Sequence, residues 1–86
     1  MIIKELECTC MACPIQFEGF LDNGKSVYMR YRFGKLSAYV DGEQVFLEEK
    51  PWGLLTEDLT VEEIQEKMTS AGFIFPEGLS LMEVYG

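Results

Sequence analysis

The stretch from Pro14 to Glu49 constrains this chain most. It is a succession of alternating apolar and polar runs, cut by turn dipeptides at Asn23-Gly24, Gly34-Lys35 and Asp41-Gly42. Period-two alternation interrupted by such turns is the sequence form of an antiparallel meander. Each turn also proposes a register, and the register decides which side chains share a side of the sheet.

Gly34-Lys35 fits a two-residue turn with glycine first. Phe33 then faces Leu36, Arg32 faces Ser37, Tyr31 faces Ala38, Arg30 faces Tyr39 and Met29 faces Val40. Phe33, Leu36, Tyr31, Ala38, Met29 and Val40 form an apolar side. Arg32, Ser37, Arg30, Tyr39, Tyr28 and Asp41 form the other. Asp41-Gly42 is a type I′ signal that sets Ala38 against Val45 and Leu36 against Leu47. Gln44, Phe46 and Glu48 then fall on the polar side. For the first hairpin, Asn23-Gly24 as the whole loop would bury Gln16 and Glu18, at a cost of several kcal/mol. A three-residue loop, Asp22-Asn23-Gly24, with glycine left-handed, puts Phe17 opposite Met29 and Ile15 opposite Tyr31. It leaves Gln16 and Glu18 outside, beside Arg30 and Tyr28, and is the register expected.

A helix follows the sheet. Thr60 and Glu63 make a capping box, and Val61, Ile64, Met68 and Ala71 recur at helical spacing. Glu62, Glu63 and Glu66 are expected at the solvent, and Gly72 suits the end of the helix. Ile2, Ile3 and Leu6 read as an edge strand, and Leu79, Leu81 and Val84 as a last short strand. The expected fold is α+β: a four- or five-stranded antiparallel meander with one α-helix on its apolar side. Residues 1–86 are read as a single domain.

The chain has 86 residues, 48% of them hydrophobic, which is ordinary for a folded domain. Fifteen acids against seven bases give a net charge of −8. That disfavours general phosphate binding, so direct nucleic-acid binding is not expected. No histidine is present, which removes the commonest general base and metal ligand. With no nucleophile–histidine pair, no P-loop and no calcium loop, a non-catalytic role is expected. Met1-Ile2-Ile3 is followed at once by charge, so neither a signal core nor a membrane span is read, and a cytoplasmic location is expected.

Charge is segregated. Residues 23–40 hold Lys25, Arg30, Arg32 and Lys35 and no acid, whereas residues 41–66 hold nine acids and only Lys50. The acidic stretch, including Glu62, Glu63 and Glu66, suggests a protein partner with a basic surface; the alternative is a solvated face. The polar side of the sheet combines Tyr28, Arg30, Arg32, Tyr39 and Phe46, residue types enriched at interface hot spots. It is read as an interface, as a structural network, or as a single-strand nucleic-acid platform that the net charge opposes. Trp52, in a Pro/Gly loop, either anchors a partner or closes the core edge. Cys8, Cys10 and Cys13 are read as reduced thiols at a strand edge. The alternatives are three zinc ligands or, less in keeping with Pro14, a redox dithiol.

Cys13-Pro14-Ile15-Gln16-Phe17-Glu18-Gly19 and Tyr28-Met29-Arg30-Tyr31-Arg32-Phe33-Gly34 together resemble small bacterial and phage proteins in which P-x-Q-x-E-G precedes Y-x-R-x-R. The resemblance covers roughly the first half of the chain. It brings no activity with it and implies that Gln16, Glu18, Tyr28, Arg30 and Arg32 form one constellation. The function expected is a small acidic protein-binding module, a phage-borne inhibitor of a host protein. A small-ligand or nucleotide binder using the Arg/Tyr side, and a zinc-stabilised module using the cysteines, are the alternatives.

Overall fold

The computed structural model describes residues 1–11, 15–32, 34–49 and 59–85. They form a five-stranded antiparallel sheet in sequence order: β1 (Ile3–Met11), β2 (Ile15–Leu21), β3 (Ser26–Arg32), β4 (Lys35–Val40) and β5 (Glu43–Glu49). Two helices follow, α1 (Val61–Ser70) and α2 (Leu81–Tyr85).

The first hairpin has the bulged loop. Ile15 faces Tyr31, Gln16 faces Arg30, Phe17 faces Met29 and Glu18 faces Tyr28. Gly24 sits at φ 88°, and the Leu21 N–H donates to the Lys25 carbonyl at 2.8 Å. The Asn23 side chain accepts from the Lys25 amide, which fixes the loop.

The second hairpin departs from expectation. Met29 faces Ala38, Tyr28 faces Tyr39, Arg30 faces Ser37, and the pairing closes at Arg32 with Lys35. Glycine is thus second in the turn rather than first. The gain is a cross-strand tyrosine pair, with ring centroids 5.9 Å apart. Because the slip is by two residues, every described side chain keeps its side. Phe33, expected inside, lies outside the described residues.

Asp41 and Gly42 both have positive φ, 52° and 81°, as a type I′ turn requires. The ladder beyond them is broken by a bulge. Tyr39 faces Gln44, but Ala38 faces Phe46, which leaves Val45 as the extra residue. The parity of the rest of β5 is therefore inverted. Phe46 packs against the core, whereas Val45 and Leu47 are exposed. Glu48 comes to the helix side, where Lys67 reaches it at 2.6 Å. The expectation that Phe46 and Glu48 lie outside, and Val45 and Leu47 inside, is overturned by that one added residue.

Helix α1 matches its capping signal. Thr60 accepts from the Glu63 amide, and Glu63 accepts from the Thr60 amide. Ile64 and Met68 are buried over Phe17, Met29, Leu36 and Ala38 in one core cluster. The Leu59 N–H donates to the Tyr31 hydroxyl at 3.2 Å, tying the start of the helix to the sheet. The segment from Leu79 is not a strand. Ser80 caps α2 by accepting from the Glu83 amide at 3.2 Å. The Gln65 side chain takes the Leu81 amide. Leu81 is fully buried, and the Tyr85 ring lies 6.4 Å from Phe17. No described helix is long and apolar enough to cross a membrane.

Candidate functional site

The core cluster gathers on one side of the sheet with α1 and α2, and the candidate site is the other side. Cross-strand register lays that outer side out in rows. One row runs Glu7, Glu18, Tyr28, Tyr39, Gln44. The next runs Cys10, Gln16, Arg30, Ser37, Leu47. A third holds Arg32, Lys35 and Glu49. Gln16, Glu18, Tyr28, Arg30, Arg32 and Tyr39 are thus brought together, as their shared hairpins require.

The tyrosine pair divides this face. Toward β1 and β2 lies an open concavity of about 640 Å³, lined among others by Glu5, Glu7, Glu18, Phe20 and Tyr28. Glu7 and Glu18 stand directly opposite each other, both exposed. Like charges in that position repel. Toward β4 and β5 lies a second concavity of about 420 Å³, lined by Arg30, Arg32, Lys35, Ser37, Tyr39 and Glu49. Here three cations surround one carboxylate. The Arg30 Nε is buried and has no hydrogen-bond partner. The Tyr39 hydroxyl donates to Gln44 at 3.3 Å, which holds its ring at the rim. Glu48 cannot pair with an arginine on this side, because it is on the other.

Of the remaining described candidates, Cys10 joins this face, whereas Phe46, Glu62, Glu63, Glu66 and Cys8 do not. Phe46 is on the core side. Glu63 is engaged in the capping box, while Glu62 and Glu66 are exposed on α1. Trp52 and Cys13 lie outside the described residues. A bulge in β1 separates the other two cysteines: Cys8 faces Phe17 on the core side, and Cys10 faces Gln16 on the outer side. The Cys8 thiol donates to the Cys10 carbonyl at 3.4 Å. Among the described residues, no three Cys, His, Asp or Glu are grouped to hold a metal ion.

Sequence reasoning missed Glu5, Glu7, Phe20, Lys35, Leu47 and Glu49 on this face. Lys35 reads as a turn residue in Gly34-Lys35. Leu47 was hidden by the bulge. Glu7 was within reach, since it follows from extending β1 past Leu6. The chain matches no protein-family model, and neither a curated protein nor a solved structure is significantly similar to it.

Proposed function

We propose that this chain is a non-catalytic protein-binding module whose partner docks on the outer face of the sheet. The observation that carries the reading is the face's organisation: an aromatic pair at the centre, a basic corner on one side, and opposed carboxylates on the other. Aromatic and arginine side chains supply the energy of an interface, and charges at its rim select the partner. The partner fitted by this arrangement is a folded protein surface that is acidic opposite Arg30 and Lys35. It is basic opposite Glu7 and Glu18, where a cation would relieve their repulsion.

The acidic stretch supports a separate docking surface less well, because its charges are partly engaged. Asp41 accepts from the Ser26 amide at 2.8 Å, Glu48 pairs with Lys67, and Glu63 caps α1. Such a module acts by occupying its partner's surface, in the manner of an inhibitor.

The test compares capture from lysate at low and moderate salt by four immobilised proteins: wild type, Arg30→Glu, Tyr28→Ala and the double variant Glu62→Gln/Glu66→Gln. Circular dichroism checks that each is folded. The expected result is a protein held by wild type and by the double variant and lost from the other two. Retention by Arg30→Glu and Tyr28→Ala, loss from the double variant, or recovery of background alone would overturn the proposal.

A further inference from the structure

The two corners of the outer face carry opposite charge, and each holds one charge of the other's sign. Glu5, Glu7 and Glu18 stand with Lys4 in the acidic corner. Arg30, Arg32 and Lys35 stand with Glu49 in the basic one. Among the described residues, Lys4, Glu5, Glu18, Lys35 and Glu49 make no ion pair. Phe20 lies beside the acidic corner and Leu47 beside the basic one, and both are exposed. A face laid out in this way complements itself.

We propose that the outer face pairs with the same face of a second copy of this chain, about a two-fold axis that lies in the face and crosses it beside Gln16. In such an isologous contact every pairing is made twice. The register fixes the positions: neighbouring strands are about 4.8 Å apart, and successive rows about 6.8 Å apart along them. On that lattice one diagonal axis makes four juxtapositions at once. Glu5 meets Lys35 of the second copy, Lys4 meets Glu49, Glu18 comes over Arg30, and Phe20 meets Leu47. The strands of the two sheets then cross steeply, toward the orthogonal of the two ordinary sheet packings.

The pairing needs no buried atom to be reached, since Lys4, Glu5, Lys35 and Glu49 are all exposed. It brings a positive corner to Glu7 and Glu18, whose mutual repulsion it relieves. The contact covers one face of a small chain, so the dimer is a weak one. The inference rests on the reading of the outer face as an interface and names a second copy as its occupant. A foreign partner on the same face displaces that copy.

The experiment is sedimentation equilibrium of the purified chain from about 10 μM to about 1 mM, the range in which so small an interface assembles. Wild type should pass from monomer to dimer, and less readily at high salt. Glu5→Lys and Lys35→Glu should each weaken the dimer about tenfold or more, because each reverses two contacts. Glu5→Lys also brings the net charge closer to zero, which by itself favours association, so its weakening reports the contact. An equimolar mixture of the two variants, and the chain carrying both, should recover wild-type affinity. Within one chain the two residues are about 25 Å apart on this lattice, so recovery can come only from a contact between chains. Both are exposed, and circular dichroism checks that the reversals leave the fold intact. A monomer at every concentration, a dimer indifferent to both reversals, or weakening without recovery overturns the inference. A monomer leaves capture of a foreign protein possible, and background capture from lysate leaves the dimer standing, so the two readings fall separately.

Discussion

A methyl group added at Gly19 would lie 1.9 Å from the Glu5 carbonyl oxygen and 2.8 Å from the Leu6 Cα. Both neighbours are backbone and cannot turn aside. Gly19→Ala is therefore expected to push β1 off β2 and destabilise the fold by about 1–3 kcal/mol, the usual cost of overpacking. Urea denaturation of the two proteins measures it; equal midpoints would show that β1 yields without loss. At this scale the candidate site was legible where the hairpin register was. Gln16, Glu18, Tyr28 and Arg30 could be placed together because burying two polar groups was the alternative. Phe46 and Leu47 could not, because nothing in Gln44-Val45-Phe46-Leu47 marks which residue the ladder skips. A bulge is decided by how the edge strand packs over the core, and the local alternation carries no trace of it.

Among the elements, α1 was readable from end to end because its stop and start signals are chemical. The reciprocal bonds of Thr60 and Glu63 predict that Thr60→Ala lowers stability by about 1 kcal/mol. Thermal unfolding should show a lowered midpoint, restored in part by Thr60→Ser or Thr60→Asp. An unchanged midpoint would mean that packing of Ile64 and Met68 alone sets the helix. Helix α2 was misread for a physical reason. Leu79 and Leu81 alternate as a strand would, and runs this short do not separate the two periods. The better signal was Ser80 with Glu83 three residues on, the same capping pattern as in α1. The second turn was placed one residue late and its register slipped by two, since either position of Gly34 satisfies a positive φ. Pairing Tyr28 with Tyr39 decides between them.

The molecule as a whole is a sheet closed by its C-terminal third. The meander is built from neighbours in sequence, and its register was largely visible for that reason. What ties the C-terminal segment to β1 was not, because those contacts are long-range and made by few residues. Ile3 donates to the Ile74 carbonyl, Ile74 donates to the Met1 carbonyl, and the Tyr85 hydroxyl donates to the Met11 carbonyl at 2.8 Å. Leu81 anchors this closure in the core. Leu81→Ala should cost about 2–5 kcal/mol, as for other buried leucines. It should also raise amide hydrogen exchange in β1 above that in β3 and β4. Uniform acceleration across the sheet would mean that α2 supports the whole fold and not its edge.

That closure has a consequence for how the protein is made. The five strands leave a ribosome in the order in which they pair, so the sheet can assemble as it emerges. Among the described residues, however, its apolar side is covered by residues 59–85. At ordinary elongation rates that interval is roughly one to five seconds. During it Phe17, Met29 and Leu36 face solvent or a chaperone. The nascent chain is therefore most vulnerable to aggregation after β5 has formed and before Leu81 arrives.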